Sequence, residues 1–265
     1  LMRIIDFHTH AFPDTVADKA VPLLEHEADT KAFHDGKISS LLASMDRAGI
    51  EKAVVCSIST KPSQFTPILQ WSLDIKSDRL VPLASVHPED PDLVAHIHAV
   101  KQAGLLGIKM HPYYQCYSVN ESRMDPFYQA LEETGLFLVC HTGFDIAFPH
   151  DRIADPEKIV DVIKRFPKLR FITTHLGAWK DWEEVEKHII GRPILMEISY
   201  TLGILDDASA VRLLLKHPSD YIIFGTDSPW DDQKMAVDRF MALRIPDKIK
   251  EKVMFKNPAR LLGLL

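Results

Sequence analysis

Apolar residues in this chain gather in short, nearly unbroken runs, separated by longer stretches in which they recur every three or four positions. A run with no polar alternation is what a strand covered on both faces shows. Eight such runs occur, at residues 3–10, 52–59, 80–88, 105–112, 136–143, 169–177, 194–200 and 222–229. The stretches between them read as helices. Asp90 is a possible N-cap for a helix over 91–103, where Leu93, Val94, Ile97 and Val100 keep helical spacing. Asp155-Pro156-Glu157 opens another, with Ile159, Val160, Val162, Ile163 and Phe166 as its apolar stripe before Pro167. Residues 208–216 and 235–243 behave alike.

Eight strands alternating with helices in 265 residues match the size of a (β/α)8 TIM barrel of the α/β class, read as a single domain over residues 2–265. A doubly wound open sheet is the alternative, but neither GxGxxG nor GxxxxGK[ST] is present. The runs begin 25 to 33 residues apart except the first two, which are 49 apart. One helix cannot fill that gap. Residues 11–37 are therefore expected to form an enlarged first βα loop, a candidate lid or specificity element.

Composition narrows the function. With 31 Lys and Arg against 37 Asp and Glu the formal charge is −6, which offers no basic surplus for a nucleic acid. No run is long and apolar enough for a membrane span, and Met2-Arg3-Ile4-Ile5-Asp6 turns polar too soon for a signal peptide. A soluble cytoplasmic protein is expected. Cys56, Cys116 and Cys140 are odd in number and far apart, which speaks against both a disulfide framework and a cysteine zinc site.

Histidine stands out, with 13 copies. The first run ends Asp6-Phe7-His8-Thr9-His10, and strand alternation puts His8 and His10 on one side, where two imidazoles can share a metal. A second HxH, His96-Ile97-His98, lies in a predicted helix where i and i+2 diverge, and is read as incidental. Other runs end in Lys109-Met110-His111-Pro112, His141-Thr142-Gly143, His175-Leu176-Gly177 and Gly225-Thr226-Asp227-Ser228-Pro229. In a closed barrel these ends would converge, and a bound cation is the simplest way to make buried ionisable groups favourable there. His87 and His111, each before a proline, are weighed as substrate contacts against hydrogen-bonded loop histidines. Phe12, Phe144, Trp179, Tyr200 and Trp230 follow strand ends and are candidates for an apolar lining. Cys140 is expected to point away into packing. His26, His34, His150, His188 and His217 are expected to be solvated, and Asp181, Glu183, Glu184 and Glu186 to form an exposed helix face.

The strings HxH, His-Thr-Gly, His-Leu-Gly and Gly-Thr-Asp-Ser-Pro, in this order, resemble the amidohydrolase superfamily. Within it they are similar to the amidohydrolase-related branch of metal-dependent hydrolases and non-oxidative decarboxylases. The resemblance runs from Asp6 to Asn257-Pro258-Ala259-Arg260-Leu261-Leu262-Gly263. It implies that His8, His10, His141 and Asp227 hold a metal, with His175 close to the metal-bound water. Several branches carbamylate a lysine at the place of Lys109 to bridge two metals; the decarboxylase-like branch manages with one, and one ion is expected here. Nitrogen and oxygen donors suit Zn2+ first, with Mn2+ or Fe2+ also possible.

The function expected is a metal-dependent hydrolase of a small carboxylate, lactone or amide, with Asp227 as proton shuttle and His175 steadying the oxyanion. The alternative is a carboxy-lyase of an aromatic or unsaturated acid, with Lys109 or Arg152 anchoring the acid and His111 sharing the face of Lys109. A weaker resemblance is to the TatD nucleases, which place a glutamate at the position of Lys109. The partner expected is a small-molecule substrate, with no nucleic acid and no membrane, and a homo-oligomer is open.

Overall fold

The computed structural model describes residues 2–265. In chain order the elements are β1 (Ile5–Thr9), α1 (Asp14–Glu27), α2 (Ile38–Ala48), β2 (Lys52–Cys56), α3 (Phe65–Ile75), β3 (Leu80–Leu83), α4 (Leu93–Gln102), β4 (Gly107–Met110), α5 (Asp125–Thr134), β5 (Phe137–Cys140), α6 (Pro156–Arg165), β6 (Phe171–Thr173), α7 (Trp182–His188), β7 (Leu195–Glu197), α8 (Asp207–Lys216), β8 (Ile222–Ile223), α9 (Gln233–Ala242), α10 (Asp247–Glu251) and α11 (Asn257–Leu261). All eight expected strands form, each shorter than its apolar run. The run continues past the paired residues into the segment that carries the polar side chains.

The chain divides into two compact units. The first comprises the chain as far as Cys56, Ser77–Val81 and Ile190–Leu265. In it β1 pairs in parallel with β2, and β7 with β8. The end of β8 joins β1 through the Phe7 amide donating to Phe224 O at 2.9 Å and a parallel bridge between Thr9 and Ser228. The β1–β2 register shifts between Asp6 and Thr9, at the His8 position, a local irregularity of the kind that re-aims side chains.

The second unit comprises Ser57–Lys76 and Pro82–Ile189. Here β4, β5 and β6 pair in parallel, with Lys109 opposite Val139 and Cys140 opposite Thr173. Ala84 bridges to Ile108, beside β4. Ile97, Val100, Ile108, Met110, Phe127, Leu131, Leu138, Ile159 and Val162 pack into one core from both strands and helices. Cys140 lies in it, its Sγ 3.7 Å from the Tyr117 hydroxyl, as its strand parity requires.

Three helix starts follow from capping. Asp155, Asp206 and Asp232 accept the amides of Lys158, Ser209 and Met235. Asp90 departs from the expectation. The helix starts at Leu93, and the Asp90 carboxylate instead takes the Asp92 amide at 2.9 Å and His96 Nδ1 at 2.6 Å. The long first interval contains a helix of its own, α1, which buries Ala17 and Val21 and runs through Pro22. His217 is also a correction: it is buried, with Nε2 donating to Ile194 O at 2.9 Å, because its position at the end of α8 turns the ring inward.

Candidate metal centre

In the first unit the HxH histidines meet. His8 Nε2 and His10 Nε2 lie 3.1 Å apart, and Asp227 Oδ1 lies 3.3 Å from the former and 3.1 Å from the latter. The second ring nitrogens fix the tautomers. His10 Nδ1 lies 2.8 Å from the carbonyl of Cys56, which only accepts, so Nδ1 carries the hydrogen. His8 Nδ1 lies 3.0 Å from Glu197 Oε1, and the same argument applies. Neutral rings held this way turn two Nε2 lone pairs and a carboxylate oxygen toward one point. One proton cannot satisfy all three, whereas a divalent cation can, so the residues present fit a metal.

Asp227 is set by its backbone. Its φ is 68°, in the left-handed region that few residues other than glycine adopt, and such strain persists only where the surroundings impose it. Its amide donates to His8 O at 2.7 Å and its carbonyl accepts the Trp230 amide at 2.9 Å. Asp6 ties the same two segments together. It takes the His8 amide, the Thr226 amide at 3.0 Å, the Thr226 hydroxyl and Gln233 Nε2 at 2.8 Å. Burial pushes the Asp6 carboxyl up to about 6, against the pull of these donors.

Glycine is required beside it. A Cβ on Gly225 would stand 2.4 Å from Glu197 Oε2 and 3.0 Å from His8 Cβ.

In the second unit His111, His141 and Asp145 group together, all buried. The His111 and His141 rings stack with centroids 4.1 Å apart, and Asp145 Oδ2 lies 3.4 Å from His111 Nε2 and 3.6 Å from His141 Nε2. His141 Nε2 donates to Phe144 O at 3.0 Å, which leaves Nδ1 facing His175 Nε2 at 3.1 Å. Burial drives His141 well below the usual histidine range, and the positive charges of His111, His175 and Lys109 add to this. Burial pushes Asp145 the other way, but the His111 hydrogen bond and charge hold it below the ordinary carboxylate value. His175, like Asp227, is left-handed, at φ 58°. Gly143 allows the close pass of this loop: a Cβ there would meet Trp179 N at 2.1 Å.

The expected metal and substrate residues are thus divided between the units, His8, His10 and Asp227 in the first and Lys109, His111, His141, Arg152 and His175 in the second. Lys109 is fully buried at the third residue of β4. Arg152 is engaged, its Nη2 2.9 Å from Asp181 and 3.8 Å from Asp155. Asp181 is accordingly a buried partner and not part of an exposed face. His87 sits in a turn, its Nδ1 accepting the Glu89 amide at 3.1 Å. His96 turns to Asp90 and stacks on Phe65, centroids 3.7 Å apart. Glu197, Asp6 and Asp145 were not among the expected residues. The signal for Glu197 was a carboxylate inside an otherwise apolar run, which has to find a partner once buried.

Among the described residues no helix is long and apolar enough to cross a membrane. No curated protein matches the sequence. Solved structures match over the whole chain. The 5-carboxyvanillate decarboxylase of Sphingomonas paucimobilis has a TM-score of 0.73 at 16% identity, with 100% of each chain covered. A TIM-barrel protein of Bordetella bronchiseptica reaches 0.79 at 19%, with 99% of each covered. A dihydroxybenzoic acid decarboxylase of Polaromonas sp. JS666, with bound manganese and the inhibitor 2-nitroresorcinol, reaches 0.71 at 14%, covering 100% of this chain and 98% of its own. With its alternating parallel strands and helices, the chain therefore has the α/β (β/α)8 fold, with an enlarged first βα segment and a C-terminal helix. The family model described as Amidohydrolase matches residues 5–264, and the chain belongs to that family.

Proposed function

We propose that this protein is a metal-dependent decarboxylase of an aromatic acid. The observation that carries the reading is the convergence of His8 Nε2, His10 Nε2 and Asp227 Oδ1, in a chain alike over its full length to decarboxylases of benzoic acids. The hydrolase expectation has support only at the level of the family, and the neighbours favour its alternative. Manganese stands in two of the neighbouring decarboxylases, so Mn2+ joins Zn2+ as the first ion to test, and one ion is proposed.

His8, His10 and Asp227 are the donors this unit offers, and the family resemblance adds His141 and His175 to the proposed set. A divalent ion held there supplies Lewis-acid polarisation of a substrate oxygen. The chain's own residues manage the proton and the acid. Asp227, as the carboxylic acid, gives its proton to the ring carbon that bears the carboxylate, or His175 does so in its place. A C–H bond forms, the bond to the carboxylate carbon breaks, its electron pair restores the aromatic ring, and CO2 leaves. Lys109 and His111 are assigned to the substrate acid; Arg152 is the weaker choice because Asp181 and Asp155 already neutralise it.

The test is to load purified protein with Mn2+ or Zn2+, offer a panel of hydroxylated benzoic acids, and follow CO2 in D2O. Release of CO2 with one deuterium at the vacated carbon is expected. Hydrolysis of lactones or amides with no CO2 would overturn the decarboxylase and reinstate the hydrolase.

A further inference from the structure

Glu197 is fully buried at the end of a three-residue strand, where a carboxylate has to be hydrogen-bonded to be tolerated. It is held in one rotation. The Ser199 amide donates to Oε2 at 2.7 Å and the Ser199 hydroxyl to Oε1 at 2.8 Å. Oε1 is then the oxygen that meets His8 Nδ1 at 3.0 Å, with Ser199 Oγ 3.1 Å from the same nitrogen. Gly225 supplies the room, since any Cβ there would collide with Oε2.

From this geometry we infer that Glu197, backed by Ser199, is a positioning residue that fixes His8 as the Nδ1–H tautomer and so keeps the Nε2 lone pair available to a cation. The inference rests on the metal-centre reading and extends it to a residue outside the ligand set. Glutamine in place of Glu197 inverts the hydrogen bond. The Ser199 amide must still find an oxygen, so the carbonyl of glutamine takes the Oε2 position. The amide NH2 then faces His8 Nδ1 and forces that nitrogen to accept. The ring hydrogen moves to Nε2, the atom that would ligate.

Metal affinity and tautomer are read separately. For Glu197→Gln, titration with Mn2+ alone or Zn2+ alone against a competing chelator should show about 10- to 100-fold weaker binding than wild type, the range for lost partners of metal-bound histidines. In metal-free protein, long-range 1H–15N spectra should show the His8 ring, assigned by its loss in His8→Gln, as Nδ1–H in wild type and Nε2–H in Glu197→Gln. Should Glu197→Gln not fold, Glu197→Asp keeps a carboxylate but draws it back from His8 Nδ1 by one methylene, and weaker binding of Mn2+ or Zn2+ with a mixture of His8 tautomers is expected. Unchanged affinity in Glu197→Gln, or an Nε2–H ring in wild type, overturns the inference. Wild-type protein that binds neither ion overturns the metal centre itself. That failure is distinguishable, because an Nδ1–H ring in the same metal-free sample still upholds the hold of Glu197 on His8.

Discussion

At the residue scale the two groups with most at stake, Asp227 and His175, both sit on left-handed backbone. For Asp227 this makes a clean substitution available. Asparagine tolerates the left-handed region better than most residues and keeps the shape of the side chain, while removing both the negative charge and the transferable proton. Asp227→Asn should keep its thermal midpoint within a few degrees and lose turnover by orders of magnitude; near-normal rates in the metal-loaded variant would contradict its role as proton donor. His217 answers to pH instead. It is buried, its Nε2–H is given to Ile194 O, and its Nδ1 has no hydrogen-bond partner. Burial lowers its affinity for a proton below that of the unfolded chain. As pH falls through about 6.5 the unfolded state takes up a proton that the folded ring refuses, so stability falls toward acid and is unaffected above that range. Urea midpoints at pH 7 and pH 5 should converge in His217→Gln relative to wild type. His34 and His87 are lowered by burial in the same direction, so the slope should shrink and not vanish.

At the scale of elements, the cap of α6 is the easiest to test. Asp155 accepts the Lys158 amide and also pairs with Lys158 Nζ at 2.7 Å, and it is buried. Asp155→Ala should cost about 1–2 kcal/mol, seen as a lower urea midpoint with an unchanged slope. That helix was legible in the sequence because Asp155-Pro156 announces its start and five apolar positions mark its buried stripe. The strands were legible because burial on both faces leaves a continuous apolar run, yet their ends were not, since the run carries on into the segment bearing the chemistry. Helix α1 was hidden for a physical reason. It buries only Ala17 and Val21, leaves Val16 and Leu23 exposed, and tolerates Pro22, so it shows neither a stripe nor an uninterrupted helical composition. The site divides in the same way. His8, His10 and Asp227 were readable from motif and strand parity. Glu197 and Asp145 are lone carboxylates with no period to betray them. Arg152 looked available because Asp181, its partner, stands 29 residues further along the chain.

At the scale of the molecule, metal and fold should be linked, since an ion that binds only the folded chain stabilises it in proportion to its saturation. At 100 times the dissociation constant the gain is about 2.7 kcal/mol. For a chain of this size each kcal/mol moves the thermal midpoint by roughly 2–4 °C, so Mn2+ or Zn2+ should raise it by roughly 5–10 °C and a chelator should reverse the rise. Three groupings that each lie within one unit have the donors to produce such a shift, and substitution separates them: His8, His10 and Asp227; His111, His141 and Asp145; Asp90, Asp92 and His96. In the first grouping both histidines have Nδ1 committed as a donor, so their Nε2 lone pairs face the carboxylate. In the second His141 Nε2 already donates to Phe144 O, and in the third His96 Nδ1 is already engaged by Asp90. The metal-induced rise should therefore disappear in His8→Gln and persist in His96→Gln and His111→Gln. A rise that survives His8→Gln and is lost in either of the others would move the cation out of the HxH site and take the proton-transfer role of Asp227 with it.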